Sequence, residues 1–200
     1  MKKLYLLSFL LIIGHDLFAQ HKGYLIFSNH DTLVCAKVKN SNSSNDEVKY
    51  KTNSDDDDFE TADARLIIQY QLSNKNGDIY KSMIIDSTQT PVFMQILEDG
   101  KICLYEEVVH GGMSTYTTNG ITNSVFSATI NWYISKDNQP LILIKTSDIA
   151  FDEKKRRQIL ADMFKDDPKL YSEFARGDDF SKYVIRGCIR HYNQAALSQK

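Results

Sequence analysis

The chain is poor in the residues that announce chemistry. Its three cysteines, Cys35, Cys103 and Cys188, form no C-x-x-C pair and have no adjacent His or Lys activator. No redox motif results, and an odd count leaves at least one thiol unpaired within a monomer. The histidines show no metal-ligand spacing, with each other or with cysteine. His191, beside Tyr192, reads as a packing or capping residue of a last helix. No glycine loop cradles a phosphate and no dinucleotide fingerprint is present, so no cofactor is expected. His110-Gly111-Gly112 has the letters of an oxyanion loop, but no G-x-S-x-G elbow and no alternating βα pattern accompany it. No apolar run reaches the ~20 residues of a membrane helix. Charge of one sign is also missing: 24 Lys and Arg stand against 26 Asp and Glu, a net −2. That balance gives no electrostatic reason to bind nucleic acid or anionic lipid.

What is present begins at the N-terminus. Met1-Lys2-Lys3 is a short basic start, and residues 4–13 are apolar apart from Ser8. Gly14-His15-Asp16 breaks the run, and Ala19 offers a small residue for cleavage before Gln20. This layout predicts a secretory signal peptide over 1–19 and a periplasmic or extracellular mature chain of 20–200. No cysteine follows the run to carry a lipid. Removal of the signal takes away two lysines and one aspartate, leaving the mature chain slightly more acidic. Its length suits one domain that buries about two-thirds of its unfolded surface without metal or disulfide support. The cysteines then read as buried small hydrophobes, with a single disulfide as the alternative.

From 20 to 146, short apolar runs alternate with turn signals, which predicts a β-rich part. Strands are expected at 23–27, 32–38, 48–52, 65–72, 79–85, 92–98, 101–108, 129–135 and 141–145. Asp99-Gly100 predicts a two-residue type I′ turn between two of them. Residues 110–127 read as a Gly/Ser/Thr/Asn-rich loop. After Asp152 the period changes to 3.6, predicting helices over 152–196. Asp152 caps the first, with Ile159, Leu160, Met163 and Phe164 on one face. Asp167-Pro168 opens a second, with Leu170, Tyr171 and Phe174, and Gly177 closes it. Asp178 or Asp179 caps a third, with Phe180, Tyr183, Val184, Gly187, Cys188 and His191 on its stripe. Strands first and helices last predict an α+β fold: an antiparallel sheet, or partial sandwich or barrel, of about eight or nine strands covered by helices.

Few residues stand out as a site. Asp55-Asp56-Asp57-Asp58 lacks the alternate spacing of a calcium loop and reads as a solvated acidic segment that keeps a sheet edge soluble. Lys154-Lys155-Arg156-Arg157 reads as a solvated helix face, or as a partner for acidic groups, including that same loop. The 110–127 segment is the longest irregular stretch, and long loops often carry function. His110, Met113, Tyr116 and Phe126 are its candidate binding residues.

Several stretches together resemble a known pattern. They are Gly23-Tyr24-Leu25-Ile26 with Asp31-Thr32-Leu33, Gly100-Lys101-Ile102-Cys103-Leu104-Tyr105, and Tyr133-Ile134-Ser135 with Leu141. A closing segment runs from Lys155 through Asp166-Asp167-Pro168 to His191-Tyr192-Asn193. The set resembles an uncharacterised family of exported proteins from Bacteroidota-type bacteria, over most of the mature chain. Some relatives carry a C-terminal outer-membrane β-barrel, which is not expected of this chain. Cys35 stands where the pattern often has Gly and Asp167 where it often has Cys, so no shared disulfide is implied. Such bacteria attach O-glycans at Asp-Ser/Thr-hydrophobic triplets. Asp31-Thr32-Leu33 matches and Asp86-Ser87-Thr88 matches loosely, although turn and strand entry explain Asp31 and Thr32 equally well. The expected function is a non-catalytic binding or accessory module of the cell envelope, with a protein or glycan partner. The alternatives are a hydrolase using paired carboxylates among Glu106, Glu107 and Asp63, or an assembly partner of an outer-membrane protein.

Overall fold

The computed structural model describes residues 21–42, 44–85, 89–119, 121–147 and 152–198. Within these, the side chains of 112–114, 116–118 and 121–126 are not described. The expected signal segment, 1–19, and Asp86-Ser87-Thr88 lie outside this set. The chain forms β1 (Gly23–Phe27), β2 (Thr32–Cys35), β3 (Lys37–Asn40), β4 (Glu47–Lys51), β5 (Glu60–Asp63) and β6 (Ile67–Gln71). It continues with β7 (Ile79–Ile84), β8 (Pro91–Glu98), β9 (Ile102–Thr118), β10 (Ile121–Lys136) and β11 (Ile142–Thr146). Three helices follow: α1 (Glu153–Met163), α2 (Pro168–Arg176) and α3 (Lys182–Leu197). The fold is α+β.

Eight strands build one antiparallel sheet in the order β11-β10-β9-β8-β7-β6-β1-β2, and β3-β4-β5 form a second. The expected strand over 32–38 is therefore two strands. Ala36 breaks it where the chain leaves the large sheet for the small one. Val38 N donates to Ser73 Oγ at 2.8 Å and Ser73 N to Val38 O at 3.2 Å, fixing the small sheet beside β6. β5 was not legible: Glu60-Thr61-Ala62-Asp63 buries only Ala62 and shows no apolar alternation.

Side chains alternate between the faces of a strand. One face of the large sheet carries Leu25, Tyr70, Phe93, Leu104, Trp132, Ile134 and Ile144, all buried. Two covers share it. Over β1, β2 and β6, the small sheet adds Val38, Val48 and Ala62. Over β9, β10 and β11, the helices add Leu160, Phe164, Leu170, Phe174, Ile185, Ile189 and Tyr192. The opposite face gathers Met94, Tyr105 and Tyr133 into a third cluster. Cys35 lies in the small-sheet core and Cys103 beside the third cluster, on opposite faces. β2 and β9 are five strand spacings apart, roughly 24 Å. All three thiols are free. Burial pushes the Cys35 thiol up to about 11, which leaves it protonated and inert at neutral pH.

The first two helix starts match the sequence reading. Asp152 accepts from Lys155 N at 3.1 Å, and Asp167 accepts from Leu170 N at 3.1 Å ahead of Pro168. The third differs. Ser181 is the N-cap, while Asp179 accepts from Ser181 N at 2.7 Å one step earlier. Its buried stripe is Ile185, Ile189, Tyr192 and Asn193, whereas Tyr183 is 87% exposed and Gly187 and His191 face outward. Of the expected stripe, Phe180 is buried and Val184 and Cys188 pack against the core, but its centre lies about one residue further along, on Ile185 and Ile189.

The turn after β8 also departs from expectation. A bulge between Ile96 and Glu98 shifts the register, and Glu98 pairs with Leu104. Asp99, Gly100 and Lys101 then make a three-residue connection in which only Gly100 has positive φ, +148°. Asn193 of α3 completes it. Its Oδ1 accepts from Ile102 N at 2.9 Å, and its Nδ2 donates to Ile102 O at 2.8 Å and Asp99 O at 3.2 Å. A Cβ on residue 100 would lie 2.6 Å from the Asn193 side chain, so glycine is required by space as well as by φ. The two-residue turn with both φ positive is at Asp137-Asn138, closed by Gln139 N to Lys136 O at 2.9 Å. That is the signature of type I′.

Asn193 is buried and meets three main-chain groups, so its loss strands a buried N–H and two carbonyls. Asn193→Ala is expected to cost about 2–4 kcal/mol in urea unfolding. Asn193→Asp should be no better, because it sets a carboxylate against two carbonyl oxygens; wild-type stability in either variant would refute this role.

Glu98 joins α3 to β8 through Arg186 Nε at 2.8 Å and Arg190 Nη2 at 2.6 Å. Partial burial pushes its carboxyl up, but the hydrogen bonds and charges of the two arginines outweigh this and hold it below its usual value. A depressed folded-state pKa gives stability that is present above the unfolded value of about 4.3 and lost as pH falls. Glu98→Gln should therefore lower Tm at pH 7, with the gap to wild type closing between about pH 5 and 3. A gap that widens on acidification would contradict the assignment.

Candidate functional site: a β-ribbon and the polar seam at its base

β9 and β10 stay in antiparallel register from Ile102↔Lys136 to Thr118↔Ile121. Their neighbours stop much earlier. β8 pairs with β9 only as far as Glu106, and β11 with β10 only as far as Asn131. The expected 110–127 loop is therefore a two-stranded ribbon. The irregular reading failed because Gly, Ser, Thr and Asn suppress the apolar alternation that marks a strand, while the ladder to the partner strand does not depend on it. Asn119, at φ +52°, begins the turn at the tip. At about 3.4 Å per residue, the unflanked part is about 30 Å long. Among the described residues, no third strand pairs with it.

The structure shows what ends the flanking pairs. On the β8 side, Asn45 enters between the strands. Asn45 O accepts from Phe93 N at 2.7 Å, and Asn45 Nδ2 donates to Val108 O at 2.6 Å. Asn45 thus takes the groups that β8 and β9 would have exchanged. On the other side, Ser147 closes the ladder through Ile130, with Ser147 N to Ile130 O and Ile130 N to Ser147 Oγ both at 3.0 Å. Beyond Val109 and Ala128, no described residue pairs with the outer backbone edges of the ribbon. Gly111 sits at a bulge opposite Ser127, where a Cβ would come within 2.1 Å of Ser127 Oγ.

The base is held firmly. Glu106 and Glu107 are adjacent on β9 and face opposite sides. Glu106 accepts from Trp132 Nε1 at 2.7 Å, and Lys182 lies 3.6 Å from it and 5.0 Å from the Trp132 ring centre. Glu107 is buried on the other face and accepts from Asn131 Nδ2 at 3.1 Å and Tyr133 Oη at 3.2 Å. Burial first, then the neighbouring carboxylate, pushes the Tyr133 hydroxyl up to about 12. Asp63, the third acid considered, is bound by Arg65 at 2.6 Å on the small sheet and held at about 2 by that guanidinium. These three carboxylates therefore do not face one another across a cleft.

A polar seam runs between the two covers. Tyr70 Oη donates to Asn40 Oδ1 at 2.7 Å, Asn40 Nδ2 donates to Tyr80 Oη at 3.0 Å, and Tyr80 Oη donates to Gln95 Oε1 at 3.4 Å. Tyr70 and Tyr80 stack at 4.9 Å. Desolvation raises the pKa of both, so they remain neutral donors. The space left there is only about 60 Å³, and His110 stands at its rim.

Of the candidate binding residues, His110 is exposed on β9 opposite Ala128. Met113 pairs in register with Phe126, and Tyr116 with Asn123; the side chains of Met113, Tyr116 and Phe126 are outside the described set. All four are on the ribbon. In the basic helix segment, Arg157 donates to Asp178 O and lies over Phe180 at 5.7 Å. Asn45 was missed because a lone Asn in a polar loop gives no signal of the distant edge it caps. No family model, curated protein or solved structure matches the chain.

The role of Glu106 is testable through Trp132, the single tryptophan. Glu106→Leu leaves a buried indole N–H without an acceptor and should cost about 1–3 kcal/mol, followed by Trp132 fluorescence in urea. Glu106→Gln keeps an acceptor and should cost less than half as much. Equal losses in the two variants would remove the hydrogen bond as the cause.

Proposed function

We propose that this chain is an exported, non-catalytic binding or accessory module of the cell envelope, and that it engages a protein partner through the ribbon edges. Strand addition supplies main-chain hydrogen bonds for affinity and alternate side chains for selectivity. One observation carries the reading: the ribbon has open edges and no charge. Residues 108–135 contain no Asp, Glu, Lys or Arg, and no Pro. Proteins usually guard free edges with charge, Pro or a cover. This chain does so elsewhere, with Lys37 and Lys39 on β3, Glu60 and Asp63 on β5, and Lys145 on β11. The other uncharged edge, β2, is only four residues long; an unguarded edge as long as the ribbon suits a segment meant to be paired. Asn45 and the held base keep it separate from the rest of the sheet.

Export rests on the 1–19 segment, and the resemblance to exported Bacteroidota-type proteins points the same way. The test is cross-linking and co-purification from the native envelope, wild type against a variant in which residues 112–126 are replaced by Asn-Gly. We expect the mature protein, beginning at Gln20, in the envelope or medium, with a defined partner held by wild type and lost by the variant at unchanged Tm. Retention of the same partner by the shortened protein would refute the ribbon as the binding element. An unprocessed protein in the cytoplasm would refute export.

A further inference from the structure

The outer face of the small sheet carries an arrangement that costs stability. β3 and β4 pair Lys37 with Lys51 and Lys39 with Lys49. Like charges directly opposite one another in an antiparallel pair are destabilising. Three of these ammonium groups also converge on one ring: Lys39 Nζ is 3.7 Å, Lys51 Nζ 4.9 Å and Lys37 Nζ 5.9 Å from the centre of Phe59. The ring quadrupole attracts each cation but does not cancel their mutual repulsion. Lys51 is held in place by the main-chain carbonyls of Asp56 and Asp57. Among the described residues, none of the four lysines forms an ion pair with a carboxylate. The neighbouring acidic run does not serve them: Asp56 turns its carboxylate to Asn53 N at 2.8 Å, and Asp55, Asp57 and Asp58 are exposed. Beside the lysines is an open cavity of about 420 Å³, lined by Lys37, Lys51, Phe59 and Ser73 among others.

We propose that this cavity and its lysines form a binding site for a multivalent oxyanion, bearing sulfate, phosphate or carboxylate groups, either free or carried on a saccharide chain. Lys37 and Lys51 line the open space, with Lys39 beside them over the Phe59 ring, and together they place positive charge at its wall on a chain whose net charge is negative. An anion seated among them relieves the Lys–Lys repulsion and gains several charge-assisted hydrogen bonds at once. The site is separate from the ribbon and does not depend on the reading given to it.

The test is thermal unfolding and calorimetric titration of the protein with sodium sulfate, against sodium chloride at equal ionic strength, and with dextran sulfate against neutral dextran. Wild type should gain Tm from sulfate saturably and beyond chloride. Lys37→Gln/Lys39→Gln should be more stable than wild type in the absence of sulfate and should bind it at least ten-fold more weakly. Changing residues 55–58 to Asn should tighten sulfate binding. Dextran sulfate binding at least a hundred-fold tighter than sulfate would assign the anion to a polymer, and equal affinity per sulfate would assign it to a free ion. Equal Tm shifts from sulfate and chloride would overturn the proposal. So would a fall in Tm on neutralising residues 55–58, because the acidic run would then be the anion that the lysines hold.

Discussion

An antiparallel sheet with one continuous apolar face must have all of that face covered, and here the face is wider than any single cover in the chain. Leu25 and Ile144 mark its two ends, on strands six positions apart. Each of these buried side chains contributes on the order of 2 kcal/mol when removed from water, so leaving either end bare would undo the fold. Three helices reach only one end, and the three-stranded sheet takes the other. Two covers necessarily meet along a line, and there the small sheet reaches the large one through a polar side chain, Asn40, rather than an apolar one. The Tyr70–Asn40–Tyr80–Gln95 chain of hydrogen bonds fills that line, because a polar network that is fully satisfied can be buried at little net cost.

The seam also determines where the ribbon starts. The segment linking β3 to β4 has to pass over it, and in doing so Asn45 takes the place of a strand between β8 and β9. β9 and β10 keep each other as partners and lose everyone else. The helical cover is tied down at the opposite end of the same strands. Asn193 completes the β8–β9 turn, and Asp166 collects Lys101 at 2.6 Å, Lys136 at 2.8 Å and Tyr192 Oη at 2.6 Å. One end of β9–β10 is thus anchored by side chains from α3 and the approach to α2, and the other end is free.

Much of this was legible in the sequence. The α+β order, the positions of most strands and the caps at Asp152 and Asp167 follow from local periodicity and capping chemistry. What was not legible depended on contacts far apart in the chain. The Asp99-Gly100 turn takes its form from Asn193, about ninety residues away. The break at Ala36 exists because the chain changes sheets, which no local pattern encodes. The 110–127 segment reads as a loop because its small polar residues carry no apolar alternation, and pairing with a partner strand leaves no trace in side-chain polarity. The four lysines were visible as K-x-K and K-x-K at equivalent spacing in 37–39 and 49–51, yet only the register that sets one pair against the other turns them into a concentrated charge.

The chain therefore distributes charge unevenly, and the unevenness is functional information that composition hides. A net −2 suggests a neutral surface with nothing to attract. In the folded protein, charge is absent from residues 108–135, which include the part of β9–β10 that no described strand flanks, and like charges are crowded onto a small sheet where spacing them apart would have been more stable. Selection for stability alone favours the opposite at both places: guards on the free edges and alternating signs across the β3–β4 pair. The proposed strand partner and the proposed anion would each offset one of these departures.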